Sequence, residues 1–116
     1  MKKVLLSLCI VTSLLACKKD NPNAKITYKV TGAGVSQFKI TDGAVEHLVN
    51  VPFTGTKDTT VYLPYGTMVK LDTKADGPSL QGTIYINDAQ VATLTDNDTD
   101  GDNKTQVKID YSVPNK

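Results

Sequence analysis

Ile26-Thr27-Tyr28-Lys29-Val30-Thr31 places three apolar residues at alternate positions, with polar residues between them. A period of two is the pattern of a β-strand that has one buried face and one polar face. The stretch therefore predicts a strand that turns Ile26, Tyr28 and Val30 toward a hydrophobic core.

The same alternation recurs along the chain, interrupted by clusters of turn residues. The pair Asp42-Gly43 is a two-residue hairpin signal, and Pro52 ends a strand because proline cannot donate to a ladder. Since no stretch keeps helical spacing, the sequence predicts an all-β, immunoglobulin-like β-sandwich of seven to eight antiparallel strands, with an open barrel as the alternative. The predicted strands cover 26–31, the positions around 38–40, and 45–51, 61–63, 68–73, 83–87, 91–95 and 105–113.

The N-terminus carries a separate pattern of charge and hydropathy. Lys2 and Lys3 precede an apolar run at 4–15, and Ala16 stands directly before Cys17. A positive start, a short apolar run and a small residue are the features of a signal peptide. About 12 apolar positions fall short of the roughly 20 that a membrane span needs, so we expect a signal peptide at residues 1–16.

Because the cysteine follows the small residue directly, this segment resembles a bacterial lipoprotein signal peptide with its lipobox. The resemblance implies cleavage before Cys17 and its modification with diacylglycerol and palmitate, which would anchor the chain in a membrane. Residues 17–24 then form a flexible tether, similar to those of Bacteroidetes lipoproteins, and residues 25–116 form the β-sandwich domain. We expect a cell-envelope protein of the outer membrane, and the tether leaves open whether the domain faces the periplasm or the surface.

Composition excludes several classes of function. Removing residues 1–16 from the 116-residue chain leaves 100 residues, enough for one small domain. Lys2 and Lys3 leave with the signal, so the mature chain has 11 basic and 12 acidic residues. This nearly neutral balance does not favour a nucleic-acid partner. Cys9 also leaves, Cys17 is consumed by lipid and His47 is the one histidine, so zinc sites built from cysteine and histidine are excluded.

Several short motifs resemble the MmpS family of small membrane-associated proteins. Tyr28-Lys29-Val30-Thr31-Gly32 is similar to its Y-x-V-T-G opening, Val51-Pro52-Phe53 to its proline followed by an aromatic, and Ile84-Tyr85-Ile86-Asn87-Asp88 to its I-x-V-D-G turn. The resemblance covers about residues 25–113 and implies a β-sandwich that serves as an extracytoplasmic accessory to an exporter of lipids or siderophores. The chain departs from the family in lacking a late cysteine pair and in its lipid anchor.

The densest polar cluster is the acidic segment 96–102, which contains Asp96, Asp98, Asp100 and Asp102. Its D-x-D-x-D-G order matches the first half of a calcium loop, in which alternate carboxylates converge on one cation. Val107 stands where such a loop supplies its bidentate glutamate. Aspartate, asparagine and glycine are also favoured in ordinary exposed hairpin loops, so an acidic loop without metal is the alternative to a weak, stabilising calcium site.

Two tyrosines are the candidate recognition residues. If Val61 and Leu63 face inward, Tyr62 faces out, and Tyr85 lies opposite Ile84 and Ile86 by the same count. Tyrosine is favoured at interfaces, so Tyr62 and Tyr85 predict a weak binding surface. The alternative is that they stabilise the sheet through cross-strand pairs.

No set of residues in the sequence fills the roles of a catalytic site. His47 and Glu46 are adjacent in a predicted strand and therefore point to opposite faces, and His47 is interpreted as a surface residue. We therefore expect a non-catalytic, lipid-anchored envelope protein without a cofactor, which binds another envelope component and serves as an accessory to a transporter. The alternative is a surface-exposed binding or adhesion module for a glycan or a protein, stabilised by calcium.

Overall fold

The computed structural model describes residues 22–115, which form seven antiparallel strands and no helix. This confirms the predicted all-β sandwich of seven to eight antiparallel strands. The predicted signal peptide and Cys17 lie outside the described residues. The strands are β1 (Asn23–Asp42), β2 (Val45–Leu48), β3 (Phe53–Pro64), β4 (Met68–Ala75), β5 (Ser79–Ile86), β6 (Ala89–Asn97) and β7 (Thr105–Ser112).

Strand β1 organises the sheet, because it is 20 residues long and is paired along both of its sides. Its first half lies between β3 and β5, and its second half lies between β2 and β4. Strand β6 continues the sheet beyond β5, and β7 continues it beyond β4. The predicted strands around Ile26 and Phe38 are therefore two halves of one strand, and Gly32-Ala33-Gly34 does not end it.

A bend in β1 divides the sheet into two layers. The pairing register shifts between Gly32 and Val35 on one side of β1, and between Val35 and Gln37 on the other. Gly34 has a φ of 61°, a value that glycine adopts without steric cost. A register shift of this kind is typical of a β-bulge, in which one strand has an extra residue. A β-bulge bends the strand and raises its twist. The first layer consists of β3, the first half of β1, β5 and β6; the second consists of β2, the second half of β1, β4 and β7.

The hydrophobic core fills the space between the two layers. Burial alternates along β1, and the inward positions that the sequence predicts on this strand, Ile26, Tyr28 and Val30, are all fully buried. Fully burying one large aliphatic side chain contributes roughly 1.5–3 kcal/mol, so these contacts are the main stabilising force of the sandwich. The largest fully buried side chains are Tyr28, Phe38, Ile26, Leu71, Leu80, Ile84, Val30, Val35, Val69, Val107, Val113 and Thr73.

Because β1 folds back on itself, both of its termini lie at the same end of the sandwich. Asn23 pairs with Pro64, the carbonyl of Pro64 accepts hydrogen bonds from Thr67, and Gly43 N donates to the carbonyl of Met68 at 2.8 Å. We call this the Asn23 end. The bend of β1, the turn at 76–78 and the loop at 98–104 lie at the opposite end, which we call the Asp100 end.

Three predicted strands differ most in extent from those observed. The sixth was expected at 83–87, whereas β5 runs from Ser79 to Ile86. The third was expected at 45–51, but β2 stops at Leu48, and all four of its residues are exposed. The fourth was expected at 61–63, whereas β3 runs from Phe53 to Pro64. The apolar pattern weakens at the threonine-rich start of β3, and its pairing with β1 extends the strand there.

Candidate functional site

Both predicted tyrosines lie on the outer face of the first layer. Tyr62 of β3 is opposite Lys25, and Tyr85 of β5 is opposite Thr27. Opposite residues in an antiparallel pair share a face, and so do residues two apart on one strand. Lys25 and Thr27 therefore place the two tyrosines on one face, on either side of β1. We call it the tyrosine face.

The two tyrosines are spaced as separate contact points. Two strand separations and one two-residue step place their Cα atoms roughly 12 Å apart along a diagonal. The side chain of Tyr62 is 61% exposed, while Tyr85 is half-buried. Because β1 lies between their strands, they form no cross-strand pair with each other.

Hydroxyl and charged groups surround these rings. The Oγ1 atoms of Thr27 and Thr60 lie 3.0 Å apart, and Lys25 Nζ donates to Asp88 Oδ1 at 2.9 Å. The hydrogen bond and the charge of Asp88 raise the pKa of Lys25 above its ordinary value. A shallow hollow of about 260 Å³ opens between the strands, and it is lined by Thr27, Lys29, Asp58, Tyr85 and Asp88.

The acidic loop is ordered by its own carboxylates. Asp98 Oδ1 accepts hydrogen bonds from the backbone N–H groups of Asp100 and Gly101, at 3.2 and 3.1 Å, and Asp98 Oδ2 accepts one from Asn103 at 2.8 Å. Asp100 accepts in the same way from the N–H of Asp102 at 3.1 Å. These bonds satisfy the backbone donors of a loop that has no regular ladder.

Three of the four predicted metal ligands come together in this loop. Carboxylate oxygens of Asp98, Asp100 and Asp102 lie within 4.8 Å of one another, a spacing that one cation could bridge. Asp96 instead accepts a hydrogen bond from the backbone N–H of Gln106 at 2.8 Å, which connects β6 to β7. Val107 is fully buried in the core, so that position offers no ligand. Calcium binding here stays a prediction.

The acidic loop is also tied to the turn at 76–78. Lys104 Nζ lies 2.7 Å from Asp76 Oδ1, and the hydrogen bond and charge of Asp76 raise the pKa of Lys104. Asn103 Nδ2 donates to the carbonyl of Asp76 at 3.3 Å. Both side chains of the ion pair are more than half exposed, so the pair positions the loop and adds little free energy.

Sequence reasoning missed an acidic partner of His47. His47 Nε2 lies 3.2 Å from Asp42 Oδ2 across the β1–β2 hairpin. His47 pairs with Ile40 in the ladder, and Asp42 is two residues further along β1, so the two side chains share a face. The two-residue turn at Gly43-Ala44 is the signal that could have revealed this contact, because such a turn sets the hairpin register.

The contacts of Ser36 and Ser79 lie away from this histidine. Ser79 Oγ donates to Asn97 Oδ1 at 2.9 Å, and Ser36 Oγ lies 3.5 Å from the carbonyl of Lys74. Both contacts belong to the Asp100 end, whereas His47 and Asp42 belong to the hairpin of the second layer. The described residues therefore place these two serines and the histidine in separate parts of the sandwich.

Positively and negatively charged side chains alternate on the outer face of the second layer. Lys70 is opposite Asp110, and Asp72 is opposite Lys108. Lys39 Nζ lies 3.1 Å from Glu46, and this contact raises the pKa of Lys39. Because opposite charges neutralise one another across the strands, this face differs chemically from the tyrosine face.

Comparison with known proteins adds no family to these observations. No family model, curated protein or solved structure matches the chain. Its resemblance to the MmpS family therefore stays a prediction. Within residues 22–115, the structure has no helix long and apolar enough to cross a membrane.

Proposed function

We propose that this protein is a lipid-anchored, non-catalytic domain of the cell envelope that binds another envelope component through its tyrosine face. The observation that carries the proposal is that Tyr62 and Tyr85 share one outer face, with Tyr62 largely exposed. Tyrosine combines a large apolar surface with a hydroxyl and loses little conformational entropy on binding, which makes it an effective anchor at protein interfaces.

The charged groups of the same face supply orientation. Lys25 and Asp88 pair at the Asn23 end, while Lys29 and Asp58 line the hollow beside Tyr85. Groups of both signs favour a partner that offers polar and charged contacts around an aromatic contact, as protein interfaces do. In line with the resemblance to the MmpS family, that partner would be an extracytoplasmic part of a transporter.

A second candidate function is recognition of a glycan at the cell surface. The hydroxyls of Thr27 and Thr60 lie between the two tyrosines, and a hollow opens beside Tyr85. Two hydroxyls beside one exposed and one half-buried ring suit a ligand that has both apolar and hydroxyl-bearing faces, because each hydroxyl can donate and accept. The acidic loop could then stiffen the domain by binding calcium.

Affinity purification of the lipidated protein from membranes tests the binding proposal. We expect wild type to retain a specific envelope protein, and the double variant Tyr62→Ala, Tyr85→Ala to lose it. The matched control is Leu48→Ala, which removes a side chain that is 77% exposed on the second layer's outer face. Equal capture by wild type and the tyrosine variant would show that the tyrosine face is not the binding surface. A tyrosine-dependent signal on a glycan array would favour the second function.

The anchor needs its own test. We expect Cys17→Ser to abolish incorporation of labelled palmitate. Protease treatment of intact cells then decides the side, with a periplasmic protein as control. Loss of the protein from intact cells would favour the glycan-binding function, and protection until the outer membrane is broken would favour the transporter accessory. Incorporation of palmitate into Cys17→Ser at the wild-type level would show the anchor to be wrong.

A further inference from the structure

The Asn23 end carries exposed apolar side chains on both sides of a hairpin tip. Val45, which is 56% exposed, pairs with Asp42 just after the turn at Gly43. Met68, which is 45% exposed, is held on the other side of β1, where its carbonyl accepts a hydrogen bond from the N–H of Gly43. Their Cα atoms are therefore about 10 Å apart, roughly the width of two strand separations. Val45 shares a face with Asp42 and Val69, whereas Met68 points to the opposite face, so the two side chains flank the end of the sheet.

The chain also enters the domain at this end. Five residues lie between Cys17 and Asn23, and the six residue-to-residue steps of a fully extended chain span at most about 20 Å. Asn23 pairs with Pro64 at the edge of the layer, next to the turn that leads to Met68. A lipid on Cys17 would therefore keep Val45 and Met68 close to the bilayer.

The opposite end has the opposite chemistry. The carboxylates of Asp98, Asp100 and Asp102 cluster there, at the far side of an eight-residue strand that measures about 26 Å. Burying ionised carboxylates in a medium of low polarity is costly, and anionic lipid would repel them. The Asn23 end also carries the exposed carboxylate of Asp88, but this group is paired with Lys25. Of the two ends, the Asn23 end therefore suits contact with a membrane better.

We propose that the Asn23 end docks on the bilayer interface, with Val45 and Met68 seated among the lipid headgroups. This inference rests on the lipid anchor of the proposed function. Transfer of methionine and valine side chains out of water is favourable. Their contact with the bilayer would therefore be a second membrane attachment that adds to the affinity supplied by the acyl chains. Docking would hold the tyrosine face upright beside the membrane and point the acidic loop away from it.

The test uses the full-length lipidated protein with one added cysteine. Cys9 leaves with the signal and Cys17 is acylated, so an introduced cysteine is the one reactive thiol of the mature chain. We label Val45→Cys, Met68→Cys and the control Thr99→Cys with an environment-sensitive fluorophore. Each is reconstituted in vesicles of phosphatidylethanolamine and phosphatidylglycerol, with or without headgroup-region spin-labelled lipid as a quencher. All three positions are exposed, so each variant should melt like wild type.

We expect the quencher to lower emission roughly twofold or more at Val45→Cys and Met68→Cys, and to leave Thr99→Cys unchanged. Equal quenching at all three positions, or none at any, in protein that floats with the vesicles would overturn the docking and leave the anchor intact. Failure of the protein to float would overturn the anchor, and the docking with it.

Discussion

Gly82 of the first layer lies so close to Leu71 of the second that a Cβ built at Gly82 would approach Leu71 Cδ2 to 2.9 Å. The same Cβ would come within 2.9 Å of Val107 Cγ1. Contacts below 3.0 Å force a shift of the surrounding atoms, and both neighbours are buried in the core. The two layers can therefore approach each other this closely at Gly82 because glycine has no side chain.

We expect Gly82→Ala to destabilise the domain by about 1–3 kcal/mol, because overpacking displaces core side chains. A loss of 1 kcal/mol lowers the Tm of a domain of this size by about 4–8 °C, which a thermal melt resolves. The control is Gln81→Ala, an exposed position on the same strand. Equal melting of Gly82→Ala and wild type would contradict the close approach of the layers.

Tyr28 carries a hydroxyl whose burial is uncompensated. The side chain is fully buried, and within residues 22–115 its Oη has no hydrogen-bond partner. A buried unsatisfied polar group costs about 1–3 kcal/mol. We therefore expect Tyr28→Phe to stabilise the domain by about 1–2 kcal/mol in urea denaturation. Tyr65→Phe is the control, because the Tyr65 hydroxyl accepts a hydrogen bond from Asn87 Nδ2, and its loss should not stabilise.

The same hydroxyl predicts a pH dependence at alkaline pH. Burial, together with the negative charge of Asp42, raises the pKa of Tyr28 in the folded state. In the unfolded state the phenol ionises near its ordinary pKa of about 10. Above that pH the unfolded state loses a proton that the folded state keeps, so stability falls as pH rises.

The advantage of Tyr28→Phe over wild type should therefore widen above pH 10, by about 1.4 kcal/mol per pH unit. Urea denaturation at pH 8 and at pH 10.5–11.5 measures the difference. A constant difference across this range would mean that the folded-state pKa of Tyr28 is not raised.

Thr73 stabilises the bend of β1 from the neighbouring strand. It is fully buried, and its Oγ1 donates to the carbonyl of Gln37 at 2.7 Å, beside the register shift. We expect Thr73→Val to cost about 1–2 kcal/mol, since the shape is nearly kept while the partly buried carbonyl of Gln37 loses a hydrogen-bond donor. Thermal melts compare it with Thr95→Val, an exposed strand position. Equal behaviour of the two variants would show that the hydrogen bond contributes nothing to the bend.

The acidic loop should depend on Asp98 even without metal. Both of its carboxylate oxygens accept backbone N–H groups, whereas Asp100 accepts one. We expect Asp98→Ala to lower stability by about 1–2 kcal/mol in EDTA, and Asp100→Ala to lower it less. If the three carboxylates bind calcium, adding it raises the Tm of wild type but not of Asp98→Asn, Asp100→Asn. If calcium leaves the Tm of wild type unchanged, the acidic loop does not bind it.

Features that arise within a few residues could be predicted from the amino-acid sequence. The alternation of Ile26, Tyr28 and Val30 specified which face of the strand is buried, because successive side chains point to opposite sides of a strand. The same rule turned Tyr62 outward. Pro52 was expected to end the strand that begins at Val45, but this strand already ends at Leu48, and Pro52 lies in the gap before β3. These predictions needed no knowledge of distant partners.

Which of these features lie next to one another depends on strand pairing and on the packing of the two layers. Gly32-Ala33-Gly34 has the composition of a turn, yet it lies within β1, because neighbours on both sides keep pairing along the strand. The placing of Tyr62 and Tyr85 on one face, and of the acidic loop at the end opposite Asn23, follows from the same pairing. Register and layer packing join residues that are far apart in the chain, so local propensity leaves them undetermined until the core forms.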